Sequence, residues 1–137
     1  MGSGLGLALS QEQYFPSAHL CILVVEDEFL IRMILSENLR NAGYQVIEAC
    51  NADEALVLLD TTLPDLIISD VRMPGSLDGM GLLAAIKLIH PTLPVIFTSG
   101  HFQAMQALAA GADNFVRKPY TFEPMLKVVQ VELANRQ

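Results

Sequence analysis

Leu66-Ile67-Ile68-Ser69-Asp70 is an apolar run that ends on a carboxylate, and a loop with Pro74 and Gly75 follows it. A continuous apolar run of this length suits a strand covered on both faces of a parallel sheet. Open α/β sheets place their chemistry at the C-terminal edge of such strands, and Asp70 stands there. Two other runs end in the same manner. Cys21-Ile22-Leu23-Val24-Val25 closes on Glu26 and Asp27, and Phe115-Val116-Arg117 leads into Lys118 and Pro119. Three carboxylates and one lysine at three strand ends point to a divalent-metal and phosphoryl site.

Working outward, short apolar runs alternate with helical patterns from residue 20 onward. The spacing predicts strands at Leu20–Val25, Gln45–Ile47, Leu66–Ser69, Val95–Thr98 and Asn114–Val116. Amphipathic segments fall near 28–41, 52–60, 79–89 and 102–110, with a last helix near 121–135. Asn51, with Glu54 three residues on, reads as a capping box. Thr121 followed by Pro124 opens the last helix. Gly43 and Gly111 sit just past helix ends, where a left-handed residue is usual. Five β-α units with right-handed crossovers give an α/β fold with a doubly wound, five-stranded parallel sheet. The flavodoxin-like order 2-1-3-4-5 fits it best.

Length and charge narrow the function classes. A chain of 137 residues is one domain of ordinary size, and its 52% apolar content is that of a globular protein. A net charge of −7 and a pI near 4.7 argue against direct nucleic-acid binding. No apolar stretch approaches membrane-spanning length, and no basic segment precedes the short Leu5–Leu9 stretch, so a cytoplasmic location is expected. Cys21 begins the first strand and Cys50 follows the second. Several residues of strand rise, on the order of 15 Å, would part them, too far for a disulfide.

In the order 2-1-3-4-5 the first and third strands are neighbours, so Glu26, Asp27 and Asp70 converge. Like charges this close repel and raise one another's pKa unless a cation lies between them. Hard oxygen ligands of this kind suit Mg²⁺ or Mn²⁺. Glu26 and Asp27 would also suit a helix N-terminus, but a cap leaves Asp70 and Lys118 without a role.

With these residues in place, the chain resembles the response-regulator receiver domain of two-component signalling, the chemotaxis-type receiver family, over about residues 19–137. The resemblance implies roles residue by residue. Asp70 matches the phosphoryl acceptor, which takes the group from a histidine kinase or a phosphotransfer protein. Asp27 matches the direct Mg²⁺ ligand, and Glu26 its acidic neighbour, acting directly or through water. The backbone carbonyl of Arg72 matches the remaining protein ligand. Lys118 matches the lysine that pairs with the phosphoryl oxygens, and Lys118–Pro119 a peptide that is usually cis. Counting from Pro94, Ser99 falls on the switch hydroxyl, and strand alternation turns Thr98 to the other face. Phe115 matches the aromatic switch residue. On this reading the protein is a signalling receiver and not an enzyme, either free-standing, or a piece of a hybrid kinase or phosphorelay protein.

Two departures stand out. The loop Met73-Pro74-Gly75-Ser76-Leu77-Asp78-Gly79 is one residue longer than the commonest family form before its Asp-Gly. Arg72 and His101, both bulky donors, take the positions that flank the hydrolytic water. Other classes fit less well. A dehalogenase-type phosphatase with an aspartyl nucleophile needs a second Asp two residues after the first, where this chain has Arg72. A flavodoxin would not place Glu26-Asp27-Glu28 against its flavin phosphate.

Two further expectations concern the ends of the chain. Residues 1–18 read as a flexible leader or linker, although Gly2-Ser3-Gly4-Leu5-Gly6-Leu7 resembles the glycine-rich lid box of histidine kinases. On the last helix, Phe122, Met125, Leu126, Val129 and Leu133 form a core stripe, with Pro124, Val128 and Val131 on the opposite side at 100° per residue. No charge occurs from Phe102 to Ala110. Excess apolar surface there predicts a contact face at the fourth helix, fifth strand and fifth helix, suited to a partner or a homodimer.

Overall fold

The computed structural model describes residues 19–100 and 104–135. The leader, His101 and Phe102 lie outside them. Five strands alternate with five helices: β1 (Cys21–Val25), α1 (Phe29–Asn41), β2 (Gln45–Ala49), α2 (Ala52–Thr61), β3 (Leu66–Asp70), α3 (Gly79–Ile89), β4 (Val95–Ser99), α4 (Ala104–Ala109), β5 (Asn114–Arg117) and α5 (Phe122–Asn135). All neighbouring strands are parallel, in the order β2-β1-β3-β4-β5. The expected doubly wound sheet is the one observed.

Strand alternation builds a core on each face. Leu23, Ile67, Val95 and Phe97 pack with residues of α2, α3 and α4. Ile22, Ile68, Ile96 and Val116 pack with α1 and α5. β3 and β4 are buried at every position, which explains their unbroken apolar runs. Four strands run one or two residues further than their apolar runs, because the ladder continues through Val25 with Ala49 and Asp70 with Thr98. The extra rungs are polar or small, so hydropathy does not mark them.

Local signals set the helix ends. Asn51 Oδ1 accepts from the Glu54 amide at 2.7 Å, and Glu54 Oε1 accepts from the Cys50 amide, one residue ahead of the cap. Asp78 Oδ1 caps α3 through the Gly81 amide at 2.9 Å. Gly43 and Gly111 take φ of 102° and 113°, as their positions after α1 and α4 demand. Cys21 and Cys50 are free thiols.

The stripe on α5 packs inward as expected, but Val128 does not face solvent. It is half-buried against the α1/α5 core, while Val131 is exposed. A helical wheel misplaces Val128 because it counts only the sheet below and not α1 beside the helix.

The edge strands are covered by their own neighbours. On β2 the outward carbonyl of Val46 accepts from Arg40 Nη2 at 3.1 Å. On β5 the Phe115 amide donates to Asn114 Oδ1 at 2.8 Å, and Asn114 Nδ2 donates to Glu132 on α5.

Candidate functional site

The C-terminal end of β1 delivers Glu26 and Asp27, that of β3 Asp70 and that of β5 Lys118, and loops tie the ends together. The Glu26 amide donates to Ala49 O at 3.0 Å, which holds the β1 end against β2. The Val71 amide donates to Thr98 O at 3.0 Å, and the Lys118 amide to Ser99 O at 2.8 Å. These bonds set the heights of Glu26, Asp70 and Lys118 at one edge. Asp70 and Lys118 also continue the alternation of Ile68 and Val116, so both rise from the same face.

One oxygen each of Glu26, Asp27 and Asp70 lies within 4.8 Å of the others. Lys118 Nζ bridges two of these acids, at 2.6 Å from Glu26 Oε1 and 2.9 Å from Asp70 Oδ2. The peptide Lys118–Pro119 is cis, as expected. Glu26 Oε2 accepts from the Glu28 amide at 3.1 Å, so Glu26 steadies the entry to α1 as well as facing the cluster. Asp70 Oδ1 accepts from the Arg72 amide at 3.2 Å.

Burial and charge set the electrostatics. Glu26 is 3% exposed. Loss of water pushes its carboxyl up to about 7, the Asp70 charge adds to that, and Lys118 with the Glu28 amide only partly offsets it. Burial by itself would lower the Lys118 ammonium, but its bonds to Glu26 and Asp70 outweigh burial and raise it. Tyr120 is pushed up to about 12, first by burial and then by the Glu26 charge. The site is therefore short of positive charge. Three acids share one lysine among the described residues near them, which is the setting a hard divalent cation fits.

The two hydroxyls end β4 buried, Thr98 at 2% and Ser99 at 1% exposed. Ser99 shares the face of Phe97, and Phe97 lies opposite Phe115 in register. Phe115 is half-buried on the α2–α4 side. Ser99 and Phe115 therefore lie on one face, joined through Phe97. Arg72, two residues after Asp70, is exposed.

One feature escaped the sequence reading. On α1, Phe29, Leu30, Met33 and Ile34 are exposed, Phe29 and Leu30 by more than 60%. Beside them a cleft of about 540 Å³ runs between α1 and the start of α5, lined by Ile31, Ile34, Leu35, Lys118, Tyr120 and Phe122. The signal was the pairing of apolar residues at 29–30 and 33–34, a second stripe beside the inward Leu35 and Leu39.

A family model described as response regulator receiver domain matches residues 22–130. The DNA-binding transcriptional regulator NtrC of Salmonella typhimurium is 35% identical over 119 residues, covering 85% of this chain and 25% of that protein. The nitrogen assimilation regulatory protein NtrX of Azorhizobium caulinodans is 37% identical, covering 80% and 25%. The crystal structure of the receiver domain of NtrX from Brucella abortus superimposes with a TM-score of 0.79 at 37% identity, covering 82% of this chain and 98% of that one. The chain thus spans about a quarter of the length of these full-length regulators.

Proposed function

The chain belongs to the response regulator receiver family of two-component signalling, and on that ground we propose that Asp70 accepts a phosphoryl group from a phosphohistidine donor. The observation that carries this reading is the Lys118 bridge between Glu26 and Asp70 within a cluster of three carboxylates. An Asp70 oxygen attacks phosphorus in line, the P–N bond to the donor imidazole breaks, and the imidazole keeps the electron pair. Such transfers depend on positioning and charge neutralisation more than on covalent chemistry. Lys118, already bonded to Asp70, would turn to a phosphoryl oxygen.

Glu26, Asp27, Asp70 and the carbonyl of Arg72 would hold Mg²⁺ or Mn²⁺. The cation, when bound, would offset charge on the transferring group. Phosphorylation adds about −1.5 to −2 charge at neutral pH. Ser99 would donate its hydroxyl to that charge, and Phe115 would fill the space vacated behind it. Arg72, and His101 outside the described residues, would tune water access to the phosphoryl group.

The exposed apolar stripe on α1 supports a place for the donor, since it borders the cleft that reaches Lys118. A second surface, of α4, β5 and α5, carries exposed Met105, Leu108 and Val131 and suits an output partner or a second copy. Intact-mass measurement with acetyl phosphate tests the central reading. One phosphoryl group should be gained only with a divalent cation present, and none by Asp70→Asn. Stoichiometric labelling of that variant would remove Asp70 as acceptor.

A further inference from the structure

We infer that Gly79 is a positioning residue for the metal site, because it seats the start of α3 directly on the backbone of Asp70 and Val71. The inference rests on the proposed reading of Asp70 and the Arg72 carbonyl as cation ligands.

Gly79 opens α3 and is buried. Its amide donates to Val71 O at 2.9 Å. A methyl group in place of its hydrogen would overlap the Asp70 carbonyl oxygen, and would stand 2.8 Å from both Val71 Cα and Val71 O. Every one of these atoms is backbone, so no rotamer change relieves the overlap. The requirement is for space and not for a left-handed torsion, since positive φ falls at Gly43, Gly75 and Gly111.

The backbone under Gly79 is held from its other side too. The Val71 amide is bonded to Thr98 O on β4, and the Arg72 amide to Asp70 Oδ1. A side chain at position 79 therefore forces a choice. Either α3 lifts away and releases Val71 O, or residues 70–72 shift toward β4. The second movement carries the Arg72 carbonyl, one residue past Val71, away from its place relative to Glu26 and Asp27, and the first removes the Gly79 bond that fixes Val71 beside it. A misplacement of about 0.5 Å is enough to spoil a preorganised site.

The cation type gives this role a signature. Mg²⁺ demands near-ideal octahedral geometry with short bonds, whereas Ca²⁺ accepts irregular shells and longer ones. Displacing one carbonyl should weaken Mg²⁺ more than Ca²⁺. General destabilisation of the fold would not change their ratio. Gly81 supplies the comparison. It lies in the same turn of α3, but a methyl there overlaps only the side chain of Leu77, which can turn away, and makes an ordinary contact with Asp78 Oδ1. Gly79→Ala and Gly81→Ala make the same change in the unfolded chain.

The test is calorimetric titration of Mg²⁺ and of Ca²⁺ into wild type, Gly79→Ala and Gly81→Ala, with thermal melts to establish folding. Gly79→Ala should lose about tenfold or more in Mg²⁺ affinity and distinctly less in Ca²⁺ affinity. Gly81→Ala should keep the wild-type ratio. Equal losses for both ions in Gly79→Ala, or none, would overturn the positioning role while leaving the metal reading intact. Absence of saturable Mg²⁺ binding in wild type would overturn the metal reading itself, and this inference with it. If Gly79→Ala does not fold, Asp78→Ala loosens the same helix start without adding an atom. It should move the ratio in the same direction, and an unchanged ratio there is equally decisive.

Discussion

Glu26 Oε1 and Lys118 Nζ stand 2.6 Å apart, joining the end of β1 to the end of β5 across the carboxyl edge of the sheet. The same ammonium reaches Asp70, so the cation that bridges these two carboxylates is one that phosphorylation would need elsewhere. Four predictions come from this shortage of positive charge and from the packing around it.

Metal-free protein should lose stability as pH rises from about 5 to about 7. Glu26 titrates near 7 when folded, against an ordinary value of 4.5. Below that window both states hold the proton. Within it the unfolded chain has released the proton and the folded chain has not, so stability falls with rising pH. Thermal melts in chelator should show a fall of about 3 °C or more, which Glu26→Gln flattens.

Asp27→Ala should stabilise the metal-free protein by about 1 kcal/mol, because it thins a cluster of like charge. The same variant should lose the Mg²⁺-dependent rise in melting temperature that binding to the folded state confers. An undiminished Mg²⁺ shift would exclude Asp27 as a ligand.

Ser36 lies fully buried on α1, and its hydroxyl has no hydrogen-bond partner. An unsatisfied buried hydroxyl costs about 1–3 kcal/mol, and alanine is the better helix former. Ser36→Ala should therefore raise stability by about 1 kcal/mol in urea titration with an unchanged slope. A loss would mean that the hydroxyl is bonded in solution.

Leu30→Glu combined with Ile34→Glu should separate the two kinds of donor. Both residues are exposed on the outer face of α1, so the fold should tolerate the change. Transfer from a phosphorylated histidine kinase should slow by about tenfold or more, the effect of losing a central apolar contact. Labelling by acetyl phosphate should stay at the wild-type rate. Equal effects on both donors would place the docking surface elsewhere.

Much of this was legible in the sequence because the chemistry sits where strong local signals end. Unbroken apolar runs at Ile22–Val25 and Leu66–Ile68 name buried parallel strands, and the first carboxylate after each, Glu26 and Asp70, is placed at the carboxyl edge by strand geometry. The caps at Asn51 and Gly111 carried equally direct information. Side-chain direction on helices was less legible. Phe29, Leu30, Met33 and Ile34 look like core residues in one dimension, and only the packing of α1 on the sheet decides which of its two stripes is covered. Val128 failed for the complementary reason, since lateral neighbours bury what a wheel exposes. The space requirement at Gly79 had no sequence signal beyond the Asp-Gly pair, because it depends on where another backbone passes.

The covered edges of the sheet govern how copies of this protein can meet. With Val46 O taken by Arg40 and the Phe115 amide by Asn114, each border has one backbone group already bonded where another strand would pair. Each bond interrupts the ladder that a ribbon or fibril would extend from that edge. Encounters between molecules are left to helix surfaces, whose side-chain contacts form and dissolve far more readily than a backbone ladder.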